Sequence, residues 1–399
     1  MKKIAFVVPW YSEEVSGGAE TACRMLAKNL RLHGADVEIL TTCVRDFRAD
    51  WSENYFPQGP ASEGGIPVRR FPVTKTNRRR FDEVNSRLML DCPPADGDEQ
   101  VYLREMLNSP ALYAFIEQNA AGYVFLFLPY LFSTTYWGSR AAGESAVLIP
   151  CLHEEAYARL PAFREMFANA SGVIFLSRAE RDLARALFPG CRESGVLGLP
   201  LDCSCGGAAR SFSEKFGWKN FLLYAGRTDP GKNAGLLVEY FTQYLRNSPG
   251  DLHLLFIGTE ESPYPPELRA NIHSLGFLSE QDKRDCFAAA LALCVPSVVE
   301  SFSIVMMESW IAGRPVIANA RCPVTSAFCS DSNGGLWFEN FAEFSEIVDY
   351  LRANPAAADA MGRSGAAFVR KNFEPAQVAR NYLDALAPLL HGARRDVRD

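Results

Sequence analysis

Pro296-Ser297-Val298-Val299-Glu300-Ser301-Phe302-Ser303-Ile304-Val305-Met306-Met307-Glu308 is the stretch on which the fold turns. A short apolar run, residues 293–295, stops just before it, and a helical pattern starts near Ile304. The segment reads as strand end, loop and helix start, the connection repeated in parallel α/β sheets. Ser301 or Ser303 is placed to cap the helix. Glu300 falls in the loop, and Glu308 near the start of the helix. Their carboxylates can accept hydrogen bonds from sugar and ribose hydroxyls, and the amides of Ile304 and Val305 can hold a phosphate. Chance supplies about two Glu pairs at this spacing, so placement after a strand carries the weight.

Outward from this stretch, strand and helix signals alternate along most of the chain. Behind it stand a strand at 221–225, a helix at 236–245, a strand at 254–257 and a helix at 282–290. Ahead of it come a strand at 316–318 and helices over most of 341–390. The first half opens on an apolar run at 4–8, then Gly17-Gly18-Ala19-Glu20, a helix closed by Gly34, and a strand at 37–40. Residues 46–77 read as a long irregular loop. Periodicity returns with a helix at 101–119 and strands at 124–128, 146–152, 173–176 and 196–199. Residues 201–218, with Gly206-Gly207 and no sustained period, read as a linker. The expected architecture is α/β: two doubly wound Rossmann-like domains, 1–200 and 219–374, facing each other, with a final segment 375–399. Ligands of such sheets sit at the C-terminal strand ends, so a cleft between the domains is the expected site.

Composition narrows the function classes. The chain has 399 residues, 48% hydrophobic and 22% charged, with a formal net charge of −6, which excludes wholesale disorder. Its pI near 5.6 argues against a nucleic-acid partner. The longest apolar run, residues 123–132, is interrupted by Pro129 and is too short to span a bilayer. The N-terminal apolar stretch is too short for a signal sequence, so a buried strand and a cytoplasmic protein are expected. Eleven cysteines without a CxxC pair read as reduced thiols, and Cys203-Ser204-Cys205 has no second pair at zinc spacing. The five histidines show no metal-ligand spacing, so no metal is expected.

Several further groups point to chemistry. Gly17 and Gly18, between first strand and first helix, can let amides approach an anion. They make no GxGxxG, and Thr41-Thr42-Cys43 follows the second strand where a ribose-binding acid would stand, so a nicotinamide cofactor loses ground. Arg227 and Lys232 flank a Pro-Gly turn after a strand and can converge on a diphosphate. Asn233 can cap the helix that follows. His153 stands at a strand end, before Glu154-Glu155. Asp96-Gly97-Asp98 follows two prolines and reads as a loop before a helix. Arg78, Arg79 and Arg80 form a basic cluster. It reads as a solvated face or as a contact with an anionic acceptor or bilayer surface.

Taken in order, these residues resemble the retaining glycosyltransferase family 4, whose members have the GT-B fold. The resemblance runs nearly the whole chain: Gly17-Gly18-Ala19-Glu20, His153, Gly226-Arg227 with Lys232-Asn233, Pro296-Ser297, Glu300 to Glu308, and Ala312-Gly313-Arg314-Pro315. It implies a nucleotide-diphosphate sugar, with GDP or UDP as carrier, as donor substrate and no required cofactor. Gly18, with Gly17 beside it, would place an amide at the donor diphosphate, and Arg227 and Lys232 would stabilise the leaving group. Glu300, in a donor loop with Phe302 and Ser303, would bind donor-sugar hydroxyls. Ile304 and Val305 amides would contact phosphate, Glu308 the ribose, and His153 would line the acceptor side. The last helix, around residues 375–390, would cross back onto the first domain. The acceptor would be a glycan or lipid-linked saccharide, in surface polysaccharide synthesis by family analogy. Ser303 departs from the pattern, which usually has Gly there, and Thr228-Asp229 replaces an apolar residue.

Two other classes compete. One is a different enzyme on this fold, a sugar-nucleotide epimerase or a phosphorylase; a phosphorylase needs a cofactor lysine, for which no separate candidate stands out. The other is a non-catalytic sugar-nucleotide binder, against which Glu300, Arg227 and Lys232 argue.

Overall fold

A computed structural model describes residues 2–13, 17–90, 92–204, 206–259 and 270–391. Cys205 and the tail 392–399 therefore lie outside the described residues. Contacts divide the chain into two units. One takes the sequence up to Pro200 and the final helix, Pro375–Leu390; the other is Leu201–Glu374.

The first unit is built on strands β1 (Lys3–Val7), β2 (Val37–Thr42), β3 (Gly59–Glu63), β4 (Ile66–Phe71), β5 (Tyr123–Phe127), β6 (Ala146–Leu148), β7 (Gly172–Phe175) and β8 (Glu193–Val196). They lie in the order β3-β4-β2-β1-β5-β6-β7-β8. Neighbours pair in parallel, except β3 and β4, which are antiparallel. The central strands are apolar runs because helices cover both faces and leave no solvated side. Ala5, Phe6, Val7, Phe125, Leu126 and Phe127 are all buried. Helix Gly18–Leu32 turns Ala22, Cys23, Leu26 and Leu30 inward at helical spacing. The final helix belongs to the same unit. Its Tyr382 donates to the carbonyl of Gly198 at 3.0 Å, and Asn29 donates to the carbonyl of Pro375 at 2.9 Å.

The loop expected at 46–77 is only partly a loop. Residues 59–71 form a β-hairpin around Gly64 and Gly65, with φ of 55° and 77°. Two successive positive φ values make the turn whose twist suits a two-residue hairpin, and glycine adopts them without strain. The single helix expected at 101–119 is two, Asp98–Glu105 and Pro110–Asn119, because proline at 110 removes an amide and starts a new helix. The strand expected at 146–152 ends at Leu148, and the one expected at 196–199 lies earlier, at Glu193–Val196.

The second unit holds β9 (Phe221–Ala225), β10 (His253–Ile257), β11 (Ile272–Ser274), β12 (Ala292–Val295), β13 (Val316–Asn319) and β14 (Gly335–Phe338). They form a parallel sheet in the order β11-β10-β9-β12-β13-β14. The segment expected as a linker, 201–218, instead carries helix Ala209–Phe216. Phe212 on that helix is buried, with its ring 4.9 Å from Phe216 and 5.5 Å from Phe221. Eight residues with one apolar anchor give too short a period to stand out from a Gly- and Ser-rich surround.

Candidate active site

The six strands of the second sheet run the same way, so their C-terminal ends share one edge. The residues just beyond those ends come together there. Gly226 and Gly258, after β9 and β10, have φ of 134° and 80°. A Cβ on Gly258 would stand 3.3 Å from the backbone N of Gly226, so the two strand ends lie in close backbone approach. Pro230–Lys232 forms a short 3-10 turn that carries Lys232 to the loop after β12. Lys232 Nζ stands 2.7 Å from Glu300 Oε1. The amide of Val298 donates to the carbonyl of Gly231 at 3.3 Å, which ties loop to turn. Asn233 and Asn319 both donate side-chain N–H groups to the carbonyl of Pro296, at 3.3 and 3.1 Å. Two carboxamides, one before helix Ala234–Asn247 and one at the end of β13, thus hold the first residue of the loop that carries Glu300.

Two capping expectations are corrected. Asn233 occupies the cap position of helix Ala234–Asn247 but is left-handed, φ 54°, and makes no side-chain cap. Ser303 likewise precedes helix Ile304–Ile311 with φ 65° and no cap bond, and Ser301 lies two residues further out. A capping side chain needs extended backbone to turn its oxygen onto the first amides. The Ser303 hydroxyl is buried without a hydrogen-bond partner. Phe302 turns its ring into the core, 5.0 Å from Phe373 and 5.7 Å from Phe328, so a donor contact there is left to its backbone. The first amides of the helix, at Ile304 and Val305, have no carbonyl four residues back within it.

Arg227 and Glu308 are each held by a different partner. Arg227 Nε is 3.2 Å from Asp229 Oδ2, and the carbonyl of Arg227 accepts from the Tyr224 hydroxyl. Glu308 Oε1 is 2.9 Å from Nζ of Lys283. Burial pushes the Glu308 carboxyl above its ordinary value, and the Lys283 ammonium pulls it back. Lys283 is a residue the sequence reading missed. Its partner is 25 positions away on another helix, and no local pattern announces such a pair.

The remaining predicted residues lie in the first unit. Gly17 is extended, φ −139°, and Gly18 begins the helix. A Cβ on Gly17 would fall 1.9 Å from Glu20 Oε2, the end of a flexible side chain that folds back over the glycine. A Cβ on Gly18 would meet nothing within 4 Å. His153 follows Leu152, whose amide donates to the buried carboxylate of Glu180 at 2.7 Å. His153 Nδ1 is 3.9 Å from Glu155 Oε1, which accepts from the Tyr130 hydroxyl at 2.7 Å. Arg78, Arg79 and Arg80 open helix Arg78–Met89. Arg78 lies 3.6 Å from Asp82, and Arg79 lies 3.1 Å from Glu83, which offsets part of the basic charge within the helix itself. Asp98 of the Asp-Gly-Asp run is occupied structurally: it pairs with Arg87 and accepts from the amide of Ala95 at 2.8 Å. Among the described residues, no three His, Cys, Asp or Glu side chains are grouped to hold a metal ion. No helix among them is long and apolar enough to cross a membrane.

Residues 17–194 match the family model described as glycosyl transferase 4-like domain, and residues 208–368 match that of glycosyl transferases group 1. Relatives include a D-inositol 3-phosphate glycosyltransferase of Kribbella flavida, 27% identical over 160 residues, covering 36% of this chain and 38% of the relative. The Frankia alni protein of the same name is 28% identical over 190 residues, 42% of this chain and 46% of the relative. The matches thus span less than half the length of these curated relatives. Among solved structures, sucrose-phosphate synthase from Thermosynechococcus elongatus superposes with TM-score 0.74 at 16% identity, covering 98% of this chain and all of the other. Anabaena HepE in complex with UDP-glucose gives TM-score 0.67 at 16% identity, covering 97% and 100%. These likenesses show the fold to be GT-B.

Proposed function

Because residues 208–368 match the glycosyl transferases group 1 model and residues 17–194 the glycosyl transferase 4-like domain model, we propose that the chain is a retaining nucleotide-sugar glycosyltransferase. It moves a mannose- or glucose-type hexose from a GDP- or UDP-sugar to a hydroxyl of a glycan or lipid-linked acceptor, in surface polysaccharide synthesis. The carrying observation is the 2.7 Å pair of Lys232 and Glu300 beyond the strand ends of the second unit, with Arg227 after β9 and Glu308 on helix Ile304–Ile311. Breaking a sugar–phosphate bond builds negative charge on the leaving diphosphate. Arg227, Lys232 and the amides of Ile304 and Val305 stabilise that charge as it develops. The donor competes for a pair already made: its phosphate takes Lys232 and its sugar hydroxyls take Glu300. Glu308 binds the ribose. His153 serves the acceptor side, oriented by Glu155. The HepE complex with UDP-glucose favours a nucleotide-sugar donor by analogy.

A thermal-shift series over nucleoside diphosphates and nucleotide sugars tests the reading. The right donor stabilises the fold by mass action, by about 2.7 kcal/mol at a hundredfold excess over Kd. No response to any of them overturns it. Glu300→Gln is expected to lower turnover by about a hundredfold or more while the donor still binds. Unchanged turnover with unchanged donor binding removes Glu300 from its assigned role.

A further inference from the structure

Lys283 lies on helix Glu280–Ala289, whose first turn is fixed by Ser279 accepting from the amide of Asp282 at 3.1 Å. Its ammonium stands 2.9 Å from Glu308 Oε1 and 3.2 Å from Glu280 Oε2. Glu280 is largely in solvent, whereas the Glu308 and Lys283 side chains are only 26% and 27% exposed. We propose that Lys283 is a positioning residue for nucleotide recognition: it holds Glu308 ionised, with one oxygen engaged, so that the other accepts the vicinal hydroxyls of a nucleoside's ribose. The proposal rests on the assignment of Glu308 to the ribose made above.

The reason is the hydrogen-bond sense of the two partners. Ribose hydroxyls approach as donors, and only an ionised carboxylate presents acceptors alone. Burial favours the protonated acid, and a ribose seated on Glu308 removes still more water. A cation in contact opposes both effects. The other charges acting on Glu308 are Glu280 and Arg284 of the same helix. Helix Pro355–Phe373 also packs on the Glu308 helix, and its Asp359 is 3.4 Å from Arg314. Lys283 is thus the cation in direct contact with this carboxylate.

The test is equilibrium binding of UDP, GDP and their 2′-deoxy analogues between about pH 5.5 and 8, for the full chain and for Lys283→Met, Lys283→Gln and Lys283→Arg. The wild type is expected to prefer the ribonucleotide over its 2′-deoxy analogue by a factor with a nearly flat pH profile, since the phosphate titration common to both cancels. The two neutral variants are expected to lose about tenfold in ribonucleotide affinity for each unit by which the Glu308 pKa rises, most at the acid end. Their affinity for the 2′-deoxy analogue changes little, and Lys283→Arg restores the wild-type profile. Neutral variants that keep both the ribose preference and the flat profile overturn the proposal. So does loss of the fold in both of them, which would assign Lys283 to stability. A wild type that binds nucleotide without ribose preference overturns it and leaves the donor reading standing. A wild type that binds no nucleotide removes both.

Discussion

Glu180 is buried to 1% exposure at the start of helix Arg178–Leu187, and its carboxylate accepts amides of Leu152 and Leu176 at 2.7 and 2.6 Å. Burial outweighs those bonds and raises its pKa from 4.5 to about 7. The folded state therefore binds the proton over a range where the unfolded chain releases it. Stability from this group is full below about pH 4.5 and is lost as pH rises to about 7, by up to about 3 kcal/mol. Urea unfolding across that range should show the decline, and Glu180→Gln, which cannot titrate, should remove this component of the slope. A wild-type stability that does not fall between those values, relative to the variant, refutes the assignment. Glu180 sits three residues after Ser177, which accepts its amide at 3.2 Å, a reciprocal arrangement that a local sequence pattern can suggest. Its link to the residue before His153 is not local and could not be read that way. Lys232 and Glu300 were each legible from a turn and a loop; their 2.7 Å pair was not.

Helices carry the next level of constraint. Helix Pro355–Phe373 crosses helix Ile304–Ile311 through two glycines. A Cβ at Gly362 would fall 1.9 Å from the carbonyl oxygen of Gly313, and one at Gly365 would fall 2.3 Å from the ring of Trp310. Trp310 is itself buried and donates to the carbonyl of Gly334 at 2.7 Å. Backbone cannot yield as a flexible side-chain end can, so Gly362→Ala is expected to destabilise the second unit by about 2 kcal/mol or more. Chemical denaturation measures this, and a change under about 0.5 kcal/mol would contradict the close packing. Because Trp310 and Glu308 share one helix, the same variant should also weaken nucleotide binding. The helices on both sides of this crossing were evident from apolar spacing. The glycines that allow it look, in sequence, like weak points in a helix.

At the scale of the whole molecule, the chain leaves its first unit at Pro200 and supplies it again from Pro375. The returning helix buries Val378, Ala379, Tyr382, Leu386 and Leu390 and packs on helix Gly18–Leu32 and β5. Truncation after Glu374 is expected to expose that surface. Hydrogen exchange should accelerate in helix Gly18–Leu32 and β5 while β9, β10 and β12 keep their protection. Equal acceleration in both units, or none in the first, would count against this assignment. The net charge of −6 gives no hint of a diphosphate site, because such a site needs only local cations, and Arg227 and Lys232 follow a strand end regardless of the total. The sequence by itself determined the alternation of strands and helices, the parallel cores of the two sheets and the strand-end residues. Those depend on short apolar runs, on the 3.6-residue period of the helices and on turn residues, all local quantities. Tertiary structure alone decided that Ser303 is left-handed and uncapped, that Phe302 faces the core, and that Lys283 meets Glu308. Each depends on which elements pack together, and that choice is made by the shape of buried surfaces rather than by neighbours along the chain.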